Sequence, residues 1–203
     1  MRGLNIAVSG LTAAGKTTHS RLLSAELGYR YVSATAIIAD MIGIPRSEVD
    51  SGFWQKYGEE IARLRDTTNL DRELDTRLLD EAACEEGLVI DAWALPWLAP
   101  PENCLFVWIE SDHRSRTLKA AVSDECRNTL EWYSEFIKHK DDDTRARFLS
   151  IYGFDLYGAR QHFDVDLENS HFITEATRAD SDRGISGFQP ELRRAVERKL
   201  RPQ

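Results

Sequence analysis

Gly10-Leu11-Thr12-Ala13-Ala14-Gly15-Lys16-Thr17 fits the pattern G-x-x-x-x-G-K-[ST] without a mismatch. Each residue type in it has a chemical reason. Gly10 and Gly15 permit backbone angles that side chains forbid. Such a loop turns its N–H groups inward as an anion cradle, and the helix that follows adds the positive end of its dipole. Lys16 then reaches β- and γ-phosphate oxygens, and the Thr17 hydroxyl is placed to ligate Mg²⁺. The expected ligand is a nucleoside triphosphate held by Gly10, Thr12, Ala13, Ala14, Gly15, Lys16, Thr17 and Thr18. The motif alone does not separate a kinase from an ATPase or GTPase, nor ATP from GTP as the nucleotide.

A second chemical cluster lies far along the chain. Lys138-His139-Lys140-Asp141-Asp142-Asp143-Thr144-Arg145-Ala146-Arg147 packs cations and carboxylates into one short run. By itself such a run reads as a solvated helix face. Beside a phosphate-binding loop it acquires another reading. Phosphoryl transfer needs positive charge over the migrating group, supplied by something that closes and excludes water. An arginine-rich helical hairpin suits that task as a lid.

The elements around these clusters follow from apolar patterning. Leu4 to Ser9 reads as a buried strand ended by Gly10, and Lys16 to Leu27 as a helix stopped by Gly28. Tyr29 to Ser33 is a second strand, followed by a helix over Ala34 to Ile42. Phe53, Trp54, Tyr57 and Ile61 recur at helical spacing. Leu70, Leu74, Leu78 and Ala82 mark a helix over about 70–86, with Asn69 as its expected N-cap. Leu88 to Asp91 and Cys104 to Ile109 are further strands, the latter apolar enough for the middle of a parallel sheet. Helices are expected over 112–122, 124–138 and 141–151. A weak strand over Phe163 to Leu167, an irregular exposed loop over 171–188 and a closing helix over Gln189 to Leu200 complete the chain. Strands separated by helices predict a three-layer α/β fold with a parallel sheet covered on both faces.

Bulk composition bounds the rest. The chain has 203 residues, a length expected of one domain over 1–203. No apolar run approaches the ~20 residues that span a bilayer, and no secretory leader is evident, so no membrane partner is expected. The formal net charge of -8 disfavours a nucleic acid polymer as partner. Cys84, Cys104 and Cys126 show no pairing or zinc spacing, and read as buried free thiols in a reducing, cytoplasmic setting. A monomer or homodimer is expected.

The motifs, in order, resemble the cytidylate kinases, closest to their short archaeal type. The resemblance runs through most of residues 4–170. It is carried by IAVSGLTAAGKTT, YVSATAIIADM, NLDRELDTRLLDEA before VIDAW, CLFVWIESDHRSRTLKA, KDDDTRARF with YGFD, and FDVDLENS. It implies a P-loop nucleoside monophosphate kinase fold with a five-stranded parallel sheet, an acceptor-binding segment over about 34–86 and a helical lid over about 123–151. It implies ATP and Mg²⁺ as cofactors and CMP or dCMP as acceptor. Ser33 would lie at the acceptor site, Arg145 and Arg147 would match the lid arginines that grip phosphates, and Asp142 the acidic part of the lid. Arg116 matches a family arginine after the fourth strand.

Two departures concern the acceptor. The family carries an arginine five or six residues after the Ser33 position, where this chain has Ile38 and Ala39. It carries another just past the third strand, where this chain has Ala92-Trp93. Both are bidentate phosphate donors that tryptophan does not replace; Arg46 or Arg30 is a nearby substitute for one. Trp93, Trp97 and Trp54 then read either as packing residues or as a stacking wall for a ring-bearing acceptor. Asp91, ending a strand at the edge where α/β folds bind ligands, reads as a general base for a hydroxyl acceptor or as a holder of an Mg²⁺-bound water. Asp40 is a second such candidate or a surface residue. His19 reads as a packing residue, and Asp155 as support for the chain after the lid. Three readings stand: a kinase of cytidylate type, a kinase that phosphorylates a hydroxyl of a nucleoside or small metabolite, and a nucleotide-binding regulator without turnover.

Overall fold

The computed structural model describes residues 4–201, apart from 50, 51, 99–101, 103 and 159. Five strands form one sheet: β1 (Asn5–Gly10), β2 (Arg30–Ser33), β3 (Leu88–Asp91), β4 (Cys104–Glu110) and β5 (Val165–Glu168). Their order is β2-β3-β1-β4-β5, with every neighbour parallel. Seven α-helices are found among the described residues: α1 (Lys16–Leu27), α2 (Ala34–Met41), α3 (Phe53–Thr67), α4 (Leu70–Cys84), α5 (His113–Ser123), α6 (Leu130–Tyr152) and α7 (Arg178–Leu200).

Strand alternation sorts the core into two layers. Ile6 and Val8 of β1, with Val107 and Ile109 of β4, face Leu23 of α1 and Phe188, Leu192 and Val196 of α7. Ala7, Ile90 and Phe106 point the other way, onto Ile38, Ile61, Leu74 and Leu78 of α2, α3 and α4. The sheet is covered on both faces, so β1, β3 and β4 read as near-continuous apolar runs. Register then places the chemistry. Val8, Asp91 and Ser33 lie in one row across β1, β3 and β2. The loop after Gly10 therefore emerges directly beside Asp91.

Four sequence expectations are corrected. The helices expected over 124–138 and 141–151 are one continuous helix, α6, preceded by a turn in which Glu125 and Cys126 take positive φ. Nothing between Leu130 and Tyr152 breaks a helix, since the segment holds neither Gly nor Pro. The segment expected to form a helical hairpin is thus a single rod. The loop expected over 171–188 holds a 3-10 turn (Ser170–Phe172) and the first three turns of α7. Thr177 caps that helix, and Asp180 accepts from the Thr174 and Glu175 amides. Its glycines serve close approach: a Cβ on Gly184 would stand 2.2 Å from the Phe172 carbonyl oxygen. Asn69 makes no side-chain cap; the Thr68 hydroxyl takes the Leu70 amide instead. Finally, Cys84 and Cys126 are exposed and Cys104 is half-buried, all three unpaired. Among the described residues no helix is long and apolar enough to cross a membrane.

Candidate active site

The loop between β1 and α1 has the backbone its glycines predict. Gly10 (φ +152°) and Gly15 (φ +100°) occupy angles that a side chain disfavours, and Ala13 follows at φ +60°. A Cβ on Gly10 would lie 2.5 Å from the Ile109 carbonyl oxygen, so β4 itself enforces glycine there. Two long-range contacts hold the loop. The Asn169 amide, just past β5, donates to the Ala14 carbonyl at 2.9 Å. Asp141 of α6 accepts from the Thr12 amide at 3.0 Å, and Arg116 of α5 bonds both Asp141 and the Thr12 carbonyl. Arg116 and Asp141 are a buried pair. Removing either partner of such a pair costs about 3–5 kcal/mol, because the other charge is left uncompensated.

Lys16 donates to the Leu11 carbonyl at 2.8 Å and lies 5.5 Å from the Trp93 ring centre. Burial lowers its pKa, opposed by the nearby carboxylates of Asp91 and Asp141. The Thr17 hydroxyl donates to Asp91 Oδ2 at 2.6 Å, and the Tyr31 hydroxyl reaches the same oxygen at 3.2 Å. Burial pushes that phenol up to about 12, so it stays a donor.

Two cavities open onto this loop and share Ala13, Lys16, Thr17, Thr18 and Ser123. The smaller, of about 190 Å³, lies toward α5 and α7. Phe172, Ile185 and Phe188 give it an apolar wall. Lys119 enters it, bonded to Ser111 and Asn169, with its pKa lowered to about 8 chiefly by burial. His19 also lines it; burial pulls its imidazole down to about 4. The larger, of about 330 Å³, lies toward α2, α3, α4 and α6. Ser33, Asp91 and Trp93 line it, together with Trp54, Arg65 and Lys140. So do Asp71 and Asp75, one turn apart on α4. Asp75 accepts from the Tyr152 hydroxyl at 2.6 Å, and burial raises its carboxyl to about 6.

The remaining residues singled out from sequence lie elsewhere. Asp40 is exposed and paired with Arg46. Asp142 is exposed on α6. Arg145 is exposed and bonded to Asp155 at 2.5 Å. Arg147 is bonded to Asp66 at 2.6 Å and stands 3.8 Å from Asp71, at the edge of the larger cavity. None of these four lines either cavity. The tryptophans divide: Trp54 and Trp93 line the larger cavity, whereas Trp97 does not and stacks on Phe154 at 5.7 Å, in an apolar cluster that Trp93 and Phe148 also join. Ser33 also caps α2 through its hydroxyl, which accepts from the Ala36 amide. Ile38 and Ala39 are core residues at 2% and 0% exposure, so no cation stands at either position.

Sequence reasoning assigned no role to Lys140, Asp141, Arg65, Asp71, Asp75, Lys119 or Asn169. Lys140 and Asp141 sat in the charged run but are indistinguishable there from solvated neighbours. Asp71 and Asp75 flank the Leu70-Leu74-Leu78 stripe at its own period, which is the one signal that pointed inward.

The sequence profile of the cytidylate kinase-like family matches residues 5–171. The chain belongs to that family. Among its relatives, the cytidylate kinase of Pyrococcus furiosus is 30% identical over 187 residues, covering 92% of this chain and 91% of its own. The cytidylate kinase of Pyrobaculum aerophilum is 26% identical over 178 residues, covering 87% and 90%. In fold, the chain is similar to a shikimate kinase from Acinetobacter baumannii solved with shikimate (TM-score 0.53, 20% identity, 98% and 96% covered). A gluconokinase from Sinorhizobium meliloti shares the architecture (TM-score 0.50, 10% identity, 98% of each chain). The protein is an ATP-dependent P-loop kinase acting on a nucleotide or another small molecule.

Proposed function

We propose that this kinase transfers the γ-phosphoryl group of ATP to the phosphate of a nucleoside monophosphate, with CMP and dCMP as the acceptors of first choice. The observation that carries the reading is the pair of cavities opening onto one loop, with Lys16 and Thr17 common to both. In-line transfer requires donor and acceptor to approach one phosphorus from opposite sides. The smaller, partly aromatic cavity suits the donor base. The larger holds the acceptor, bounded by Trp54 and Trp93. The relatives' shared name supplies the choice of cytidine nucleotides.

The donor set at Thr17 and Asp91 is one hydroxyl and one carboxylate, hard oxygens of the kind Mg²⁺ takes alongside retained waters. These two residues would hold the ion, which when bound draws the β- and γ-phosphates together and offsets their charge. On this reading Asp91 serves Thr17 and is not a general base, consistent with an acceptor phosphate that is already anionic. Lys16 exchanges its internal bond to Leu11 for the β- and γ-oxygens. Arg147 needs to leave Asp66 to reach the same charge; Arg145, held by Asp155, needs a larger excursion.

A second reading has a specific observation behind it. Ile38, Ala39 and Trp93 place no arginine where the family's acceptor clamp stands, which favours an acceptor hydroxyl. One experiment separates the two. The protein is incubated with Mg²⁺-ATP and a panel of nucleosides, monophosphates and small alcohols, and products are identified by mass. A nucleoside diphosphate selects the first reading. A new monophosphate ester selects the second and overturns the first.

A further inference from the structure

Lys140 is the outlying member of the charged run. Its neighbour Asp141 is locked to the loop amide of Thr12 and to Arg116, so the position of Lys140 on α6 is keyed to the phosphate-binding loop. Its ammonium lies 3.7 Å from the centre of the Trp54 ring on α3. It lines the larger cavity and not the smaller. Among the described residues it makes no hydrogen bond and no ion pair with any carboxylate. Burial, the Arg65 guanidinium and the Lys16 ammonium all disfavour its charge, and only Asp141 favours it.

Four cations thus line one cavity: Arg21, exposed and over the Tyr31 ring, and three less exposed ones that are matched unequally. Arg65 has Asp71 at 3.1 Å, and Lys16 has its carbonyl and the carboxylates beyond it. Lys140 has an indole face only. The same cavity carries other incompletely matched groups: Trp93 Nε1 is buried without a hydrogen-bond partner, and Asp71 Oδ2 has no hydrogen bond, only Arg147 Nε at 3.8 Å. Buried polar groups in this state call for a ligand that completes them. A row of like charges between the loop and α3 calls for an anion.

We propose that Lys140 grips the phosphate of the acceptor, doing from α6 the task for which positions 38, 39 and 93 hold no arginine, with Arg65 as its neighbour and Trp54 as the platform that keeps its stem extended. The proposal rests on the reading that the acceptor is a monophosphate. A lysine is a point charge that needs no bidentate geometry, so it can meet a phosphate oxygen from a direction that the planar fork of an arginine does not serve. The phosphoryl anion it meets could belong to the acceptor or to the γ-position of ATP. The cavity it lines assigns it to the acceptor.

The test compares wild type with Lys140→Met, Lys140→Gln and Lys140→Arg. Methionine keeps the apolar stem on Trp54 and removes only the charge. Steady-state rates are measured with CMP varied at saturating Mg²⁺-ATP, and then the reverse. Loss of one charge-assisted bond should raise KM for CMP about ten- to a hundredfold in both uncharged variants, with KM for ATP changed less than about threefold. Lys140→Arg should recover most of the CMP affinity. In binding titrations read by tryptophan fluorescence, the preference of wild type for CMP over cytidine should vanish in Lys140→Met while cytidine affinity stays. An unchanged KM for CMP, or a parallel rise for ATP, overturns the assignment while leaving the monophosphate reading intact. If wild type forms no diphosphate from any monophosphate in the panel, the monophosphate reading falls and Lys140 loses its acceptor with it.

Discussion

The two cavities that meet at Lys16 are built by different means. The side proposed for the donor rests on a loop of eight consecutive residues, with two glycines at positive φ, and on the head of α1, closed by a wall from α5 and α7. The side proposed for the acceptor adds to the same loop side chains drawn from α2, α3, α4, α6 and the end of β3. Backbone amides recognise any polyphosphate, so the donor side needs little beyond a short contiguous motif. Side chains assembled from distant elements recognise one acceptor, and can be exchanged without disturbing the cradle. That division explains how the chain keeps an intact loop while lacking the acceptor arginines of its family.

The sharpest way to break the contrast is at the shared residue. Lys16→Ala should abolish transfer, by at least about a thousandfold in kcat/KM, whichever acceptor is offered. A loss confined to one acceptor, in a coupled ADP-release assay, would show that the two sides do not share a centre.

Next in size is pH, where the two sides carry opposite signs. His19, on the donor side, has a folded pKa of about 4 against 6.5 unfolded. Its contribution is complete above about 6.5 and is lost as pH falls toward 4. Asp75, on the acceptor side, is raised to about 6 from 3.8. Its contribution is complete below 3.8 and is lost as pH rises through 6. Each amounts to roughly 2–3 kcal/mol at full extent. Urea midpoints measured from pH 4 to 7.5 should rise, relative to wild type, toward acid for His19→Leu and toward neutrality for Asp75→Asn. Parallel profiles for both variants would remove the contrast.

Asp91→Asn should act on the metal side. It removes the charged partner of Thr17 and should raise the Mg²⁺ concentration for half-maximal rate about 10–100-fold, with KM for the acceptor little changed. A large rise in acceptor KM instead would move Asp91 to the acceptor side and revive its reading as a base. The smallest effect is expected at Arg145→Ala: it is exposed and its partner Asp155 only half-buried, and the rate should fall by less than about tenfold. A fall of a thousandfold would mean that α6 swings Arg145 into the site during turnover.

Much of the scaffold was legible. β1, the loop and α1 follow one another within 23 residues, from Asn5 to Leu27, and local pattern suffices for them. The order of strands and helices, and the family, followed from motifs spread along the chain. The misread segments share a cause. Lys138 to Arg147 looks solvated because alternating charges hide that Asp141 is buried against Thr12 and Arg116. Residues 171–188 look like an exposed loop because they are polar, when Gly184 lies in α7 and is required by contact with Phe172. In both, the residue type was chosen by a partner distant in sequence.

By itself, then, the sequence determined the phosphate cradle, the parallel α/β architecture and membership of the cytidylate kinase-like family, since each is encoded by contiguous motifs and apolar period. Only the tertiary structure decided which charges face the larger cavity. It sent Asp40, Asp142 and Arg145 to the surface and brought Arg65, Asp75 and Lys140 inward. Whether a charged side chain meets water or a cavity depends on what packs across from it, and that is a property of the folded chain.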